Sequence, residues 1–489
     1  MNAFFMSNPS MNPIVPATLP EAPRHAALGE SAPRPSSLAG LLLAMLSLGA
    51  CATMPGGDIA PVGTSAQHRA LCDTPPKGVL NTVKLQALLD KEARVKKSPG
   101  MVMAVQVGDS PPWIGVTGCE DAACTRKMTP DSKFRIGSIT KNFVGTAILQ
   151  QVDEGKLRLD DTLERWLPGV FSNIDGKGIT LRQLLNHTSG IESYTEAVEW
   201  ITTLYMRPTQ HWKSPEALLS LAEALHEDSI KRWTVISPGT RFSYSNTNYV
   251  LLGMISAKAD GYSTIEWEKV IQNRFINKLG LSNTRIPSKK DVTLGSTNRG
   301  HVNFHNFFGN SRSGESNCVI VDPNCENTDR DFTEQDMSSA WSAGEMISTA
   351  GDLLKWVNAE LKGPLLSKAI RAQQQTFIET CHWINCPTDN ILVGLGIFKQ
   401  TKYGFIGHRG EIFGFNGTFQ YLPRKDLTVV VLSNRTALDG NHVGNMPEEV
   451  AGILFPSLRR QRANETDADT TDNIQHIRLP AQFTPFRSP

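Results

Sequence analysis

A serine and a lysine three residues apart stand at the start of an apolar segment. Ser138 and Lys141 form the pattern Ser-x-x-Lys, and residues 138 to 154 have the composition of a core helix. Residues i and i+3 share one helical face, so this spacing puts an amine beside a hydroxyl. A serine hydroxyl needs a neighbouring base to become nucleophilic, and a helix N-terminus offers N–H groups to a developing oxyanion. The motif predicts nucleophilic catalysis, although an ordinary helix start with a surface lysine has the same tetrapeptide.

A second motif, Tyr244-Ser245-Asn246, follows later in the chain. A tyrosine beside cationic groups loses its proton more easily and can act as a general base or acid. The Asn246 amide can bind a substrate carbonyl. The alternative is that these residues only cap the helix predicted from Thr247 to Ala257.

The third motif, His408-Arg409-Gly410, lies in the segment FIGHRGEIFGFNG, which we predict to be an edge strand. Gly410 would let a substrate backbone approach closely. His408 can relay a proton or donate a hydrogen bond, although a lone histidine is more often structural. Arg409 can pair with a carboxylate in bidentate fashion, whereas Glu411 would repel one if its side chain faced the site.

These three motifs, in this chain order, resemble those of the penicillin-recognising serine hydrolases, the superfamily of class C β-lactamases and serine D-alanyl-D-alanine carboxypeptidases. The resemblance spans roughly residues 80 to 455 and includes FRIGSITKNFVGTAILQQVDEGKLRLDDTLERWLPG, ITLRQLLNHTSGIESY and SAGEMISTAGDLLKW. It implies that Ser138 is the acylated nucleophile and that Tyr244 takes and returns its proton. Lys141 would lower the proton affinity of Ser138 or Tyr244.

The resemblance also assigns the substrate contacts. It implies that Asn246 binds the substrate amide carbonyl and that the backbone N–H groups of Ser138 and Glu411 form the oxyanion hole. His408 takes the place of the lysine in the lactamases' Lys-Thr-Gly. A histidine at this position is the form found in carboxypeptidases and aminopeptidases of the family. Hydroxyl residues commonly occupy the positions of Arg409 and Glu411, so this chain departs from the family where a substrate carboxylate is held.

Strand patterns near both ends of the chain enclose a helical middle. Two strands are predicted between Met101 and Gly118, and residues 404 to 435 alternate strands with turns. The expected fold is α/β (α+β), an antiparallel sheet flanked by helices, built from both chain ends with an inserted helical subdomain. The predicted hydrolase domain is 77–455, with its α/β part at about 77–158 and 336–455 and its helical part at about 159–335.

The N-terminal region has the features of an export signal. An apolar run from Leu38 to Ala50 is too short to cross a bilayer but suits a signal peptide. The following Leu48-Gly49-Ala50-Cys51 resembles a bacterial lipobox, which implies a lipid on Cys51 and an outer-membrane lipoprotein facing the periplasm. A plain secretory signal and a soluble periplasmic protein are the alternative. We assign 1–51 to this region, 52–76 to a tether and 456–489 to a polar tail.

The remaining cysteines agree with export, because three close pairs suit small disulfides in an oxidising compartment. These pairs are Cys119 with Cys124, Cys318 with Cys325, and Cys381 with Cys386, and Cys72 is left over. There is no Cys-x-x-Cys, which disfavours a zinc site.

Two histidine sites have plain structural interpretations. His187, in Asn-His-Thr-Ser-Gly, is expected to order a loop by hydrogen bonding. His301 and His305 lie in the non-periodic stretch 296–335, which we interpret as an exposed surface insertion rather than a metal site.

Composition narrows the classes of function. The net charge is +1 and no basic block stands out, so nucleic acid is not an expected partner. The expected protein is a serine hydrolase without metal or organic cofactor that acts through a Ser138 ester. Its leading substrate is a peptidoglycan stem peptide or another D-amino-acid peptide, with β-lactams as further ligands. The alternatives are a carboxylesterase, a class C β-lactamase, which His408 disfavours, and a catalytically silent penicillin-binding lipoprotein.

Overall fold

The main sheet has eight antiparallel strands in the described part of the chain, and both ends of the chain contribute to it. The computed structural model describes residues 80–287, 291–303, 329–380, 391–437 and 442–458, all within a unit that begins at Ser65. The strands are β1 (Gly100–Val107), β2 (Trp113–Gly118), β3 (Phe134–Arg135), β4 (His301–Val302), β5 (Arg330–Asp331), β6 (Ile347–Ser348), β7 (Ile378–Glu379), β8 (Ile391–Val393), β9 (Phe398–Gln400), β10 (Ile406–Ile412), β11 (Phe415–Leu422) and β12 (Leu427–Ser433). The sheet order is β2-β1-β12-β11-β10-β9-β8-β7, with β3–β6 and β4–β5 as separate pairs.

Helices cover the sheet and fill the middle of the sequence. They are α1 (Thr82–Val95), α2 (Ile139–Asp153), α3 (Leu163–Trp166), α4 (Leu181–Leu185), α5 (Val198–Met206), α6 (Pro215–Lys231), α7 (Asn246–Ala259), α8 (Trp267–Ile271), α9 (Asn277–Leu279), α10 (Ala350–Val357), α11 (Lys368–Gln374) and α12 (Met446–Leu454). The predicted fold, an antiparallel sheet flanked by helices with a helical insertion, is confirmed.

The two faces of the sheet bury different cores, because side chains alternate along each strand. On β1, Val102 and Ala104 belong to the large core that includes α2 and the inserted helices. Met101, Met103 and Val105 belong to a smaller core with α1 and α12. Residues near the start and the end of the described chain therefore share one sheet.

Helix α2 carries the Ser-x-x-Lys motif through the middle of the larger core. Apolar residues surround it and nearly every side chain is buried, which is the pattern of a helix enclosed on all sides. Phe143 stacks on Trp356 of α10 with 3.8 Å between ring centroids, and Trp356 Nε1 donates to Asn142 Oδ1. The helix ends before Gly155, whose φ of +71° suits glycine. This rigid helix fixes the position of Ser138.

Two expectations differ from the structure. The strand that carries His408 is not an edge strand, because the short strands β7 to β9 lie beyond it. β10 nevertheless pairs with β9 only at Ile406 and Gly407, so its pairing on that side stops before the motif. His301 is buried in β4 rather than exposed, because its backbone N–H donates to Gly414 and Asn434.

Several predictions concern residues outside the described ranges. These are the signal region with Cys51, the tether, Cys72, the Cys318–Cys325 and Cys381–Cys386 pairs, His305 and the polar tail from residue 459 onwards. Cys119 and Cys124 lie at disulfide-bonding distance, with 5.0 Å between their Cα atoms. Among the described helices, none is long and apolar enough to cross a membrane.

Candidate active site

Ser138 sits in a tight turn pressed against strand β10. Gly137 has a φ of +50°, and a Cβ atom there would lie 2.6 Å from the carbonyl oxygen of Glu411. A Cβ on Gly410 would lie 1.9 Å from the carbonyl oxygen of Ile136. Side chains at either position would separate the turn from the strand. Two glycines therefore allow the backbone at Ser138 to approach the backbone at Glu411 closely.

The first two motifs meet at the Ser138 hydroxyl. Lys141 Nζ lies 2.9 Å from Ser138 Oγ, and the Tyr244 hydroxyl donates to the same oxygen at 2.9 Å. Lys141 Nζ also donates to Asn246 Oδ1 and to the carbonyl oxygen of Ala343, both at 2.7 Å. The structure thus brings the serine, lysine and tyrosine together with their polar atoms in contact.

Burial sets the protonation of this cluster. Lys141 has no exposed surface, and this desolvation holds the pKa of its ammonium well below the usual 10.5. Burial also raises the pKa of the Tyr244 phenol above its usual 10, and the Ser138 hydrogen bond opposes this only in part. The expectation that Tyr244 ionises more easily is therefore not met, because desolvation outweighs any nearby positive charge. Desolvation thus favours the neutral amine at Lys141 and the neutral phenol at Tyr244.

A neutral amine fits the observed contacts. A neutral lysine has two N–H donors and one lone pair. Asn246 Oδ1 and the Ala343 carbonyl can only accept, so they take both donors. In the neutral form the lone pair would face Ser138 Oγ, whose own hydrogen can point towards Nζ because Tyr244 donates to the oxygen. That form would place a base against the serine hydroxyl.

Asn246 is the first residue of α7, and its amide is held at both ends. Its oxygen accepts from Lys141, while Nδ2 donates to Thr195 Oγ1 at 2.9 Å and to Ser193 Oγ at 3.3 Å. The side chain lies beside Ser138, where the predicted contact with a substrate carbonyl would be made. That role stays a prediction.

His408 lies on the face of β10 that is turned towards Lys141. Its Nδ1 is 2.6 Å from the Arg409 carbonyl oxygen, so Nδ1 carries the hydrogen and Nε2 has the lone pair. Burial lowers the pKa of His408 to about 3, and the imidazole is neutral. Nε2 is buried without a partner among the described residues. In this tautomer His408 offers an acceptor, whereas the sequence suggested a donor or a proton relay.

Arg409 and Glu411 point away from that face, as strand alternation requires. The Arg409 guanidinium lies 3.4 Å from both the Gly444 carbonyl oxygen and Asn445 Oδ1. The Glu411 carboxylate accepts from the backbone N–H of Ala437 at 2.8 Å. Both residues still border the pocket beside Ser138. Their expected roles towards a substrate carboxylate stay predictions.

His187 holds the segment that carries Tyr244, in agreement with its expected loop-ordering role. Its carbonyl oxygen accepts from Ser243 N–H at 2.8 Å, and its Nδ1 accepts from Ser245 N–H at 3.1 Å. Its ring also stacks on Tyr244 with 4.3 Å between centroids. Burial lowers the pKa of His187 well below 6.5, so this ring is neutral.

Ser138 stands between two pockets. The first pocket, of about 330 Å³, lies on the Tyr244 side of the serine. Its lining residues also include Phe242, Phe398, His408 and His442. The second pocket, of about 260 Å³, lies on the Asn246 side of the serine. Its lining residues also include Tyr194, Trp200, Ile201, Ile412 and Phe413. Of these residues the sequence indicated only His408, because isolated aromatic and aliphatic residues carry no local signal of function. The described ranges contain no cluster of three or more side chains that could hold a metal ion.

Comparison with known proteins places this geometry in a family. The Beta-lactamase family model matches residues 85–448. Protein flp of Staphylococcus aureus (strain NCTC 8325 / PS 47) is 28% identical over 335 residues, which are 68% of this chain and 58% of the relative. The chain thus spans less than two thirds of that relative's length.

Solved structures agree on the fold. A D-stereospecific amidohydrolase from Streptomyces sp. is 28% identical with a TM-score of 0.57, covering 73% of this chain and 99% of the other. The D-amino acid amidase from Ochrobactrum anthropi SV3 is 22% identical with a TM-score of 0.61, covering 78% and 100%. With a family model matched from residue 85 to residue 448, this chain belongs to the beta-lactamase family, within the superfamily of penicillin-recognising serine hydrolases.

Proposed function

We propose that this protein hydrolyses amide bonds formed by D-amino acids, through an ester of Ser138. The observation that carries the proposal is that one hydroxyl oxygen lies 2.9 Å from both a buried lysine and a buried tyrosine. Such an arrangement activates the nucleophile and supplies an acid for the leaving group. A D-alanyl-D-alanine type of carboxypeptidase is the first candidate. A D-amino acid amidase is the second, supported by similarity to a D-stereospecific amidohydrolase and to a D-amino acid amidase.

The acylation step begins from the neutral form of Lys141, which desolvation favours. Ser138 Oγ attacks the carbonyl carbon and its proton passes to the neutral Lys141 amine. The oxyanion forms against the backbone N–H groups of Ser138 and Glu411, which the two glycines keep close together. The carbon–nitrogen bond then breaks, and Tyr244 donates its proton to the leaving nitrogen. Tyr244 then receives the proton that Lys141 took from Ser138. Water next attacks the ester, releasing the acid and restoring Ser138.

The test is incubation of the purified protein with a fluorescent penicillin, followed by intact mass measurement. A stable adduct that is absent from Ser138→Ala supports the carboxypeptidase type. Rapid turnover of the penicillin would indicate a β-lactamase. Cleavage of p-nitrophenyl esters without any adduct or D-peptide cleavage would indicate a carboxylesterase. No adduct and no hydrolysis of any substrate would indicate a catalytically silent binding protein.

We also propose that the chain is exported and carries lipid on Cys51. The support is the lipobox-like Leu48-Gly49-Ala50-Cys51 after a short apolar run. Multiple acyl chains hold a protein firmly on a membrane, whereas one chain binds marginally. Cys51→Ser should release soluble protein from sedimented membranes. Wild-type protein found free in the periplasm would favour the plain secretory signal.

A further inference from the structure

We propose that the pocket on the Asn246 side binds the acyl part of the substrate and selects a large, uncharged, apolar side chain. The inference rests on the proposed acyl-enzyme function and names its substrate class. It is carried by the position of Tyr244 relative to the two pockets and by the chemistry of the residues that line the second one.

The position of the acid decides which pocket takes which half of the substrate. A general acid must lie within hydrogen-bond reach of the leaving atom. Tyr244 borders the first pocket and not the second, so the leaving amine occupies the first. Both pockets include Ser138, where the scissile carbonyl must lie. The acyl side chain therefore extends into the second pocket, past Asn246.

The aromatic residues of the second pocket present carbon surfaces. Trp200 Nε1 donates to the Ser339 carbonyl oxygen at 2.9 Å, and the Tyr194 hydroxyl donates to the Ala340 carbonyl oxygen at 3.3 Å. Their polar atoms are thus engaged by backbone. The Trp200 ring packs at 6.0 Å from Tyr194 and at 6.5 Å from Phe413, centroid to centroid. A preformed apolar surface of this kind favours the binding of an apolar ligand.

The charge and the size of the second pocket limit the chemical class of its ligand further. The charged side chain that lines this pocket is Glu411, whose carboxylate is held by the Ala437 N–H. A carboxylate side chain would meet the like charge of Glu411, and a lysine-like side chain would lose hydration on the aromatic surfaces, with only a carboxylate that a backbone N–H already engages as its counter-charge. The pocket volume of about 260 Å³ is far more than an alanine methyl fills. Phenylalanine-like or leucine-like acyl residues fit these limits better than alanine, lysine or glutamate.

A panel of amino acid p-nitroanilides tests the inference, with D-Phe, D-Leu, D-Ala, D-Lys, D-Glu and L-Phe as acyl residues. In the full-length protein we expect kcat/KM for D-Phe and D-Leu to exceed that for D-Ala about tenfold or more. D-Lys and D-Glu should be slower than D-Phe by about a hundredfold or more. A preference for D-Ala, or for D-Lys, would overturn the inference, and D-Lys would identify Glu411 as the determinant.

A pair of variants on helix α5 separates the pocket from its surroundings. Ile201 lines the pocket and is half-buried, whereas Val198 on the same helix is 76% exposed and lines neither pocket. Ile201→Glu should shift the D-Phe to D-Lys ratio towards D-Lys by at least about tenfold, since it places an anion among the carbon surfaces. Val198→Glu should leave the ratio unchanged. An equal ratio in both variants and wild type would overturn the assignment.

Failure of the underlying function gives a different pattern. If Ser138→Ala cleaves the whole panel as fast as wild type, the acyl-enzyme proposal fails. If L-Phe is preferred to D-Phe but D-Ala and D-Lys stay slow, the D-specific function fails while the pocket inference stands. Cleavage that requires Ser138 yet shows no preference by size or charge contradicts the pocket inference alone.

Discussion

Substitution of Gly410 by alanine should reduce acylation far more than it reduces folding. The added Cβ would lie 1.9 Å from the Ile136 carbonyl oxygen and 3.1 Å from the Ile139 nitrogen, which are on both sides of Ser138. A carbon–oxygen contact needs about 3.3 Å, so the turn and the strand must separate by roughly 1.4 Å. A misplacement of about 1 Å can cost 10²-fold in rate. We expect kcat for ester or amide hydrolysis to fall by about a hundredfold or more.

The matched control is Gly407→Ala on the same strand. A Cβ at that position would lie 2.0 Å from the Phe419 carbonyl oxygen, an equally severe clash that falls on β11 rather than on the Ser138 turn. Both variants should unfold more easily than wild type in circular dichroism melts. Rates are compared at a temperature where both are folded. If Gly410→Ala keeps the kcat of Gly407→Ala, the close approach of turn and strand does not position the nucleophile, and the reasoning is refuted.

Three further predictions follow from the cluster and its surroundings. Lys141→Ala and Tyr244→Phe should each remove most of the acylation rate, measured by single-turnover adduct formation. The double variant should be little slower than either single variant, because the two residues act as one proton-transfer unit. Losses that add in log units would show that Lys141 and Tyr244 act independently. Arg409→Ala should lower kcat/KM for a peptide ending in a free carboxylate by about 10- to 150-fold, or roughly 1.5–3 kcal/mol, and spare an uncharged ester; equal losses would make Arg409 structural. Burial raises the pKa of Glu360 from 4.5 to about 7, so the folded state keeps a proton that the unfolded chain releases. Stability should therefore fall by roughly 3 kcal/mol as pH rises from about 4.5 to about 7 in urea titrations, and a Glu360→Gln variant with the same pH slope would contradict this.

Local sequence patterns predicted the elements that make local contacts. The apolar run after Ser138 identified α2, and the i, i+3 spacing put Lys141 beside the serine, because both depend on one helix alone. The contact with Tyr244 joins distant parts of the chain, so it was expected only from the family resemblance. Burial is likewise a tertiary property, which is why the neutral Lys141 and the raised pKa of Tyr244 could not be read from their neighbours in sequence.

Short elements escaped prediction for a related reason. Strands β7, β8 and β9 have two or three residues each, too few to show an alternating pattern. Without them the strand of His408 looked like the sheet edge. The segment of His301 has no periodicity, which suggested an exposed position. His301 is in fact buried, and its backbone N–H donates to the carbonyl oxygens of Gly414 and Asn434. The pockets flanking Ser138 combine residues from several elements, and only the assembled fold brings them together.

The pairing of β1 with β12 has a consequence for how the protein folds. Met101 opposes Ser433 and Val107 opposes Leu427, so the centre of the sheet joins strands made at the beginning and at the end of domain synthesis. Such long-range pairing has a high contact order and slows folding, because a large loop must close first. A chain that stops before Leu427 lacks the strand between β1 and β11. We expect such nascent or truncated chains to expose sheet edges, to need protection from aggregation, and to lack the turn-to-strand contact at Ser138 until the last strand is in place.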